Sequence, residues 1–177
     1  MNNKTRELVL RALMIALVCI ATMTIQIPTP GTNGYVNIGD SVIFISSILF
    51  GPIPGMIAGG IGSALADILS GYSHWALFTL IVKGLEGYLV GIIVRKHNTI
   101  LKDVFATALG TIVMVVGYFG AGIVLKGSVL ISAASIPSNL IQGIISMAIA
   151  IPLAYSLNKV SYVRSFKAHY LQKISIT

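Results

Sequence analysis

The sequence predicts an all-α integral membrane protein with six transmembrane helices and both termini in the cytoplasm. Three observations lead there. Of 177 residues, 55% are hydrophobic and 10% are charged, and the mean hydropathy is +0.90, outside the range of soluble domains. The apolar residues fall into six stretches, and a helix needs roughly 20 such residues to cross a hydrocarbon core about 30 Å thick. The basic residues gather at the ends of those stretches, as the positive-inside rule demands of cytoplasmic loops.

Taken in order, the spans are expected at about 8–25, 39–51, 55–70, 76–94, 104–125 and 137–157, with a basic cytoplasmic tail over 158–177, all in one membrane domain of 1–177. Pro28 and Pro30 end the first, because proline supplies no backbone donor. The second is only about a dozen residues long before Gly51-Pro52-Ile53-Pro54-Gly55, which suits a packed short helix or a re-entrant element. Aromatic side chains around Tyr72 and Trp75 close the third, and Arg95-Lys96-His97 closes the fourth. Pro137 opens the sixth.

With six spans, Lys4, Arg6 and Arg11, then Arg95, Lys96 and Lys102, then Lys159, Arg164, Lys167 and Lys173 share one face, which is cytoplasmic. Only Lys83 and Lys126 fall elsewhere. A net charge of +7 therefore reports membrane orientation rather than nucleic-acid binding. The basic residues ahead of the first apolar run look superficially like a secretory signal, but the continuing pattern favours a retained span. The single Cys19 offers no disulfide or paired-thiol metal site, so an inert buried thiol is expected.

Glu7 and Asp103 fall on the cytoplasmic side, whereas Asp40, Asp67 and Glu86 lie within spans or at their outer ends. Ionisable groups at such depth turn toward partners or a wet cavity. On the third segment Gly55, Gly59, Ser63 and Asp67 recur every fourth residue, a small-residue ridge that either packs helices or places Asp67 at a pocket; a hydrogen bond from Asp67 to the loop 71–75 competes. Lys83 and Glu86, three residues apart, either neutralise one another or present a cation and an anion to a polar ligand. Asn139 and Gln142 share a face at the start of the sixth segment, and their amides suit the edge of a heteroaromatic ring; helix capping is the plainer role for Ser138 or Asn139. Trp75 and Tyr118 could stack on that ring or serve as interfacial aromatics.

No catalytic constellation stands out, and no cofactor or metal is expected: His74 has no companion at ligand spacing. The run Gly122 to Val129 has Ser128 where a phosphate-binding loop needs lysine, so any ATP-driven step needs another subunit. Ala12 and Ala16, four apart on the first span, permit close helix contact.

Together, Gly34-Tyr35-Val36-Asn37-Ile38-Gly39-Asp40-Ser41, Phe50-Gly51-Pro52, Gly59 to Asp67, and Thr79 to Gly87 resemble the substrate-binding S components of energy-coupling factor (ECF) vitamin importers. Pro137-Ser138-Asn139 with Gln142, and Gly117-Tyr118, are similar to the riboflavin-transporter-like group, which includes carriers for hydroxymethylpyrimidine and pyridoxine. The resemblance implies a six-helix subunit of a prokaryotic plasma membrane that binds a vitamin from outside and works with a transmembrane coupling subunit and two cytoplasmic ATPases. It implies a lid at Gly31 to Asn37, with Asn37 beside the ligand, and a docking role for Ala12 and Ala16. Asp67, Trp75, Lys83, Glu86, Tyr118, Asn139 and Gln142 complete the candidate binding set. The modest supply of aromatic residues favours pyridoxine or hydroxymethylpyrimidine over three-ring riboflavin. An ion-coupled carrier using Asp67 and the Lys83–Glu86 pair as a relay, or an assembly subunit without a ligand, are the other classes.

Overall fold

The computed structural model describes residues 3–29, 34–95, 99–161, 163, 164 and 167. The expected positions Gly31, Lys96 and Lys173 lie outside them. Helix α1 (Asn3–Thr24) leads to strands β1 (Ile27–Thr29) and β2 (Gly34–Val36), followed by α2 (Gly39–Phe50), α3 (Pro52–Leu69), α4 (Ser73–Val94), α5 (Ile100–Lys126), a short α6 (Val129–Ala133) and α7 (Ser135–Leu157). Among the described residues, five segments are long and apolar enough to cross a membrane, counting α6 with α7. The chain is a multi-pass membrane protein.

Helix α2 is the short one. Twelve residues rise only about 18 Å, too little for the hydrocarbon core, and ten of them are buried. It stands inside the bundle, packed by α1, α3, α4 and α7. Lipid-facing side chains such as Leu13, Leu77, Leu85, Phe105, Val116 and Ile144 are exposed around the outside, the distribution a bilayer solvent requires.

Glycine sets the tightest seam, between α3 and α4. A Cβ on Gly59 would lie 2.6 Å from the Lys83 carbonyl oxygen, and one on Gly87 would lie 2.4 Å from that of Gly55. The two backbones can approach this closely only where side chains are missing. The ridge read from the sequence thus divides: Gly55 and Gly59 form the seam, while Ser63 and Asp67 continue toward a cavity.

Two segments differ from the sequence expectation. The connection after α1, expected to be irregular, carries an antiparallel hairpin in which Ile27 pairs with Val36, Pro28 with Tyr35 and Thr29 with Gly34. Proline is tolerated in such a pair because a two-stranded ribbon has free edges. The connection between the expected spans 104–125 and 137–157 contains α6, started by the Ser128 side chain, which accepts a hydrogen bond from the Ile131 N–H at 3.3 Å.

The bundle is polar at one end and apolar at the other. Met14, Val18, Ile43, Phe44, Ile48, Leu49, Val90, Ala106 and Ala150 pack into one buried cluster toward the cytoplasmic half. The tail contributes here: Val163 packs against this cluster, and Lys167 donates to the Ile48 carbonyl at 3.3 Å, a cation at the carbonyl end of α2. Burial lowers the Lys167 pKa, and nearby Asp103 opposes that shift.

Candidate functional site

Above the apolar cluster lies a cavity walled by α1, the hairpin, α3, α4, α5 and the start of α7. Its floor is an ionic cluster. The Lys83 ammonium, on α4, donates to Asp40 at the first turn of α2 and to Glu86 Oε2 at 3.0 Å. The three side chains are at most 2% exposed. The ammonium also lies 2.8 Å from Met114 Sδ and 5.6 Å from the Tyr118 ring centroid. Two carboxyl groups share one ammonium where the dielectric is low, and Glu86 Oε1 is buried without a hydrogen-bond partner among the described residues, a costly arrangement.

Gln142 on α7 ties this floor to the hairpin. Its Nε2 donates to Asp40 Oδ2 at 2.8 Å, and its Oε1 accepts from the Asn37 N–H at 2.8 Å. The Asn37 side chain turns back to accept from the Gly39 N–H, also at 2.8 Å, which fixes the entry to α2. A second tie comes from Tyr35 on β2, whose hydroxyl donates to Asp67 Oδ1 at 2.7 Å. Burial first, and the Asp67 charge next, push the Tyr35 hydroxyl far above its ordinary pKa, so it remains a donor. Gln26 adds a third tie, donating to Ser70 Oγ at 2.9 Å. The hairpin is thereby fastened to both sides of the cavity mouth.

Trp75 and Tyr118 form an aromatic wall, their centroids 6.0 Å apart in an edge-on arrangement. Trp75 is 8% exposed and lines the cavity, so its place is in the bundle rather than in an outward-facing belt. The Tyr118 hydroxyl donates to Thr79 Oγ1 at 3.1 Å. His74 is exposed, with its ring 6.1 Å from that of Trp75.

Asn37, Asp67, Trp75, Lys83, Tyr118, Asn139 and Gln142 all line this one cavity. Glu86 does not; it lies beneath Lys83, fully buried. Lys83 and Glu86 pair with one another, and of the two only Lys83 reaches the cavity wall. The Asp67 side chain engages Tyr35 rather than the loop 71–75, which is held instead by its backbone carbonyl accepting from the Tyr72 N–H at 2.7 Å. Ala12 and Ala16 are exposed on α1, away from this cavity. Among the described residues no group of histidine, cysteine or acidic side chains is placed to hold a metal ion.

Asp40, an interior acid outside the candidate binding set, is the hub of the floor. Its partners lie 43 and 102 residues away, beyond any helical spacing. Tyr35, Thr79 and Ser63 also line the cavity without having been singled out as site residues. For Tyr35, its place in the Gly34-Tyr35-Val36-Asn37 run was the available signal.

Comparison with known proteins bears on this arrangement. Residues 2–159 match the family described as ECF-type riboflavin transporter, S component. The chain is 30% identical over 167 residues, 94% of its length and 96% of the relative's, to the thiamine precursor transporter HmpT of Lactococcus lactis subsp. cremoris. It is 42% identical over 142 residues, 80% of its length and 95% of the relative's, to an uncharacterized protein of Pyrococcus woesei. Its fold matches a solved structure described as the S component of a bacterial ECF transporter, with a TM-score of 0.70 at 22% identity, covering 88% of this chain and 96% of that one. The match across the membrane region, together with a shared fold, places this chain in the ECF-type riboflavin transporter S component family, whose members are substrate-binding membrane subunits rather than enzymes.

Proposed function

We propose that this chain is the high-affinity substrate-binding subunit of an ATP-driven ECF importer for a water-soluble vitamin or vitamin precursor, with hydroxymethylpyrimidine or pyridoxine as its ligand. The observation that carries the reading is a polar cavity in the outer half of the bundle, closed over by a hydrogen-bonded hairpin and sealed below by apolar packing. A ligand enters from outside when the hairpin lifts and cannot leave inward through the packed half. Asn37, Asp67, Trp75, Lys83, Tyr118, Asn139 and Gln142 contact it, and Glu86 supports Lys83 from below. Its aromatic and amide lining suits a small polar ring, and the similarity to a thiamine precursor transporter over nearly the whole chain supports hydroxymethylpyrimidine among the candidates.

Release to the cytoplasm then needs energy that this chain does not supply. A transmembrane coupling subunit, docked at Ala12 and Ala16, and two ATPases provide it. Calorimetric titration of the purified protein tests the binding step: one saturable site for hydroxymethylpyrimidine or pyridoxine is the expected result. Failure of both to bind, with tight binding of riboflavin, would contradict the ligand choice.

A further inference from the structure

Asp67 has one carboxylate oxygen engaged and one spare. Oδ1 accepts from Tyr35, whereas Oδ2 is buried with no donor at full hydrogen-bond geometry among the described residues, the Thr79 hydroxyl standing beside the carboxyl group. The residue is 5% exposed and lines the cavity. A buried carboxylate oxygen without a full donor is costly, and unlike the other such oxygens, on Glu86 and Asp103, this one belongs to a residue lining the cavity, where a donor can arrive with the ligand. Asn139 lines the same cavity from another helix, and the Trp75–Tyr118 wall suits a flat ring between them.

Charge narrows the ligand further. Asp67 adds a third carboxyl group to Asp40 and Glu86, and the one ammonium nearby, Lys83, already donates to both of its acidic neighbours. No other charged side chain among the described residues lines the cavity. An incoming phosphate would find no free cation among the lining residues, the Lys126 ammonium standing outside them 5.5 Å from the Trp75 ring centroid, and would face the Asp67 carboxylate at low dielectric.

Resting on the reading of this cavity as the vitamin site, we propose that Asp67 Oδ2 selects the ligand by accepting a hydrogen bond from an amino group on an uncharged or cationic nitrogen heterocycle, and that phosphate esters are excluded. Of the two ligands proposed for this cavity, this favours the amino-substituted pyrimidine over pyridoxine. The ligand then reaches the cell unphosphorylated, so a phosphorylating reaction inside the cell must act on it before any phosphate-dependent use.

The test compares three probes on the purified protein: hydroxymethylpyrimidine, its oxo analogue with a carbonyl in place of the amino group, and its phosphate ester. The wild-type protein should prefer the amino compound over each of the others by roughly 10- to 100-fold. Asp67→Asn, whose amide can donate where the carboxylate accepts, should weaken the amino compound and strengthen the oxo analogue. A scaffold role for Asp67 would weaken both alike, so parallel losses would overturn the proposal. Equal wild-type affinities for amino and oxo forms, or for alcohol and phosphate ester, would overturn it without relying on any variant. If pyridoxine or riboflavin binds tightly and the aminopyrimidine does not, this inference fails while the importer reading stands; if no vitamin binds, the importer reading itself fails.

Discussion

Replacing Lys83 by methionine should destabilise the protein by about 3–5 kcal/mol and abolish ligand binding. The side chains of Lys83, Asp40 and Glu86 are at most 2% exposed. Methionine fills the volume but leaves two carboxylates facing each other with no cation between them. The loss spreads because Asp40 also holds Gln142, and Gln142 holds the hairpin through Asn37. Thermal unfolding in detergent should show a lowered midpoint for Lys83→Met. Adding Asp40→Asn and Glu86→Gln should recover much of it, since the repulsion is then gone. Recovery of stability without recovery of binding would separate the scaffold role of the cluster from its place in the site. An unchanged midpoint in Lys83→Met would show that the cluster carries little of the fold.

The second large effect is expected far from the cavity. Ala12 and Ala16 are exposed on α1, one turn apart, next to Leu8, Leu13 and Leu17. A bulky side chain there meets no neighbour within the subunit, so Ala12→Trp with Ala16→Trp should fold and bind ligand as the wild type does. At a helix interface that depends on small residues, the same pair should block assembly with the coupling subunit and eliminate uptake. Co-purification checks assembly and titration checks binding. Loss of both together would place these alanines in the fold rather than at a docking face.

The helical architecture was largely readable in the chain because membrane spans are written in long apolar runs and their orientation in basic clusters. Even the anomalous second helix declared itself by length. The site was readable where its residues share a helix: Lys83 with Glu86, and Asn139 with Gln142. It was not readable where its chemistry is tertiary. Asp40 has no partner at helical spacing on α2 and finds Lys83 and Gln142 only when three helices converge. The hairpin was hidden because Pro28 argues against strand and because each strand, Ile27-Pro28-Thr29 and Gly34-Tyr35-Val36, is only three residues long. Helix α6 is a single turn inside a polar-looking connection, capped by Ser128, and so short a helix has no apolar periodicity to announce it.

The most direct test of vitamin capture for an ATP-driven partner is uptake into sealed vesicles. The subunit reconstituted alone should bind labelled hydroxymethylpyrimidine without accumulating it under any proton or sodium gradient. Addition of the coupling subunit and both ATPases should start accumulation that depends on ATP. Gradient-driven accumulation by this chain alone would contradict that division of labour and would make Asp67 and the Lys83–Glu86 pair the relay of a self-sufficient carrier.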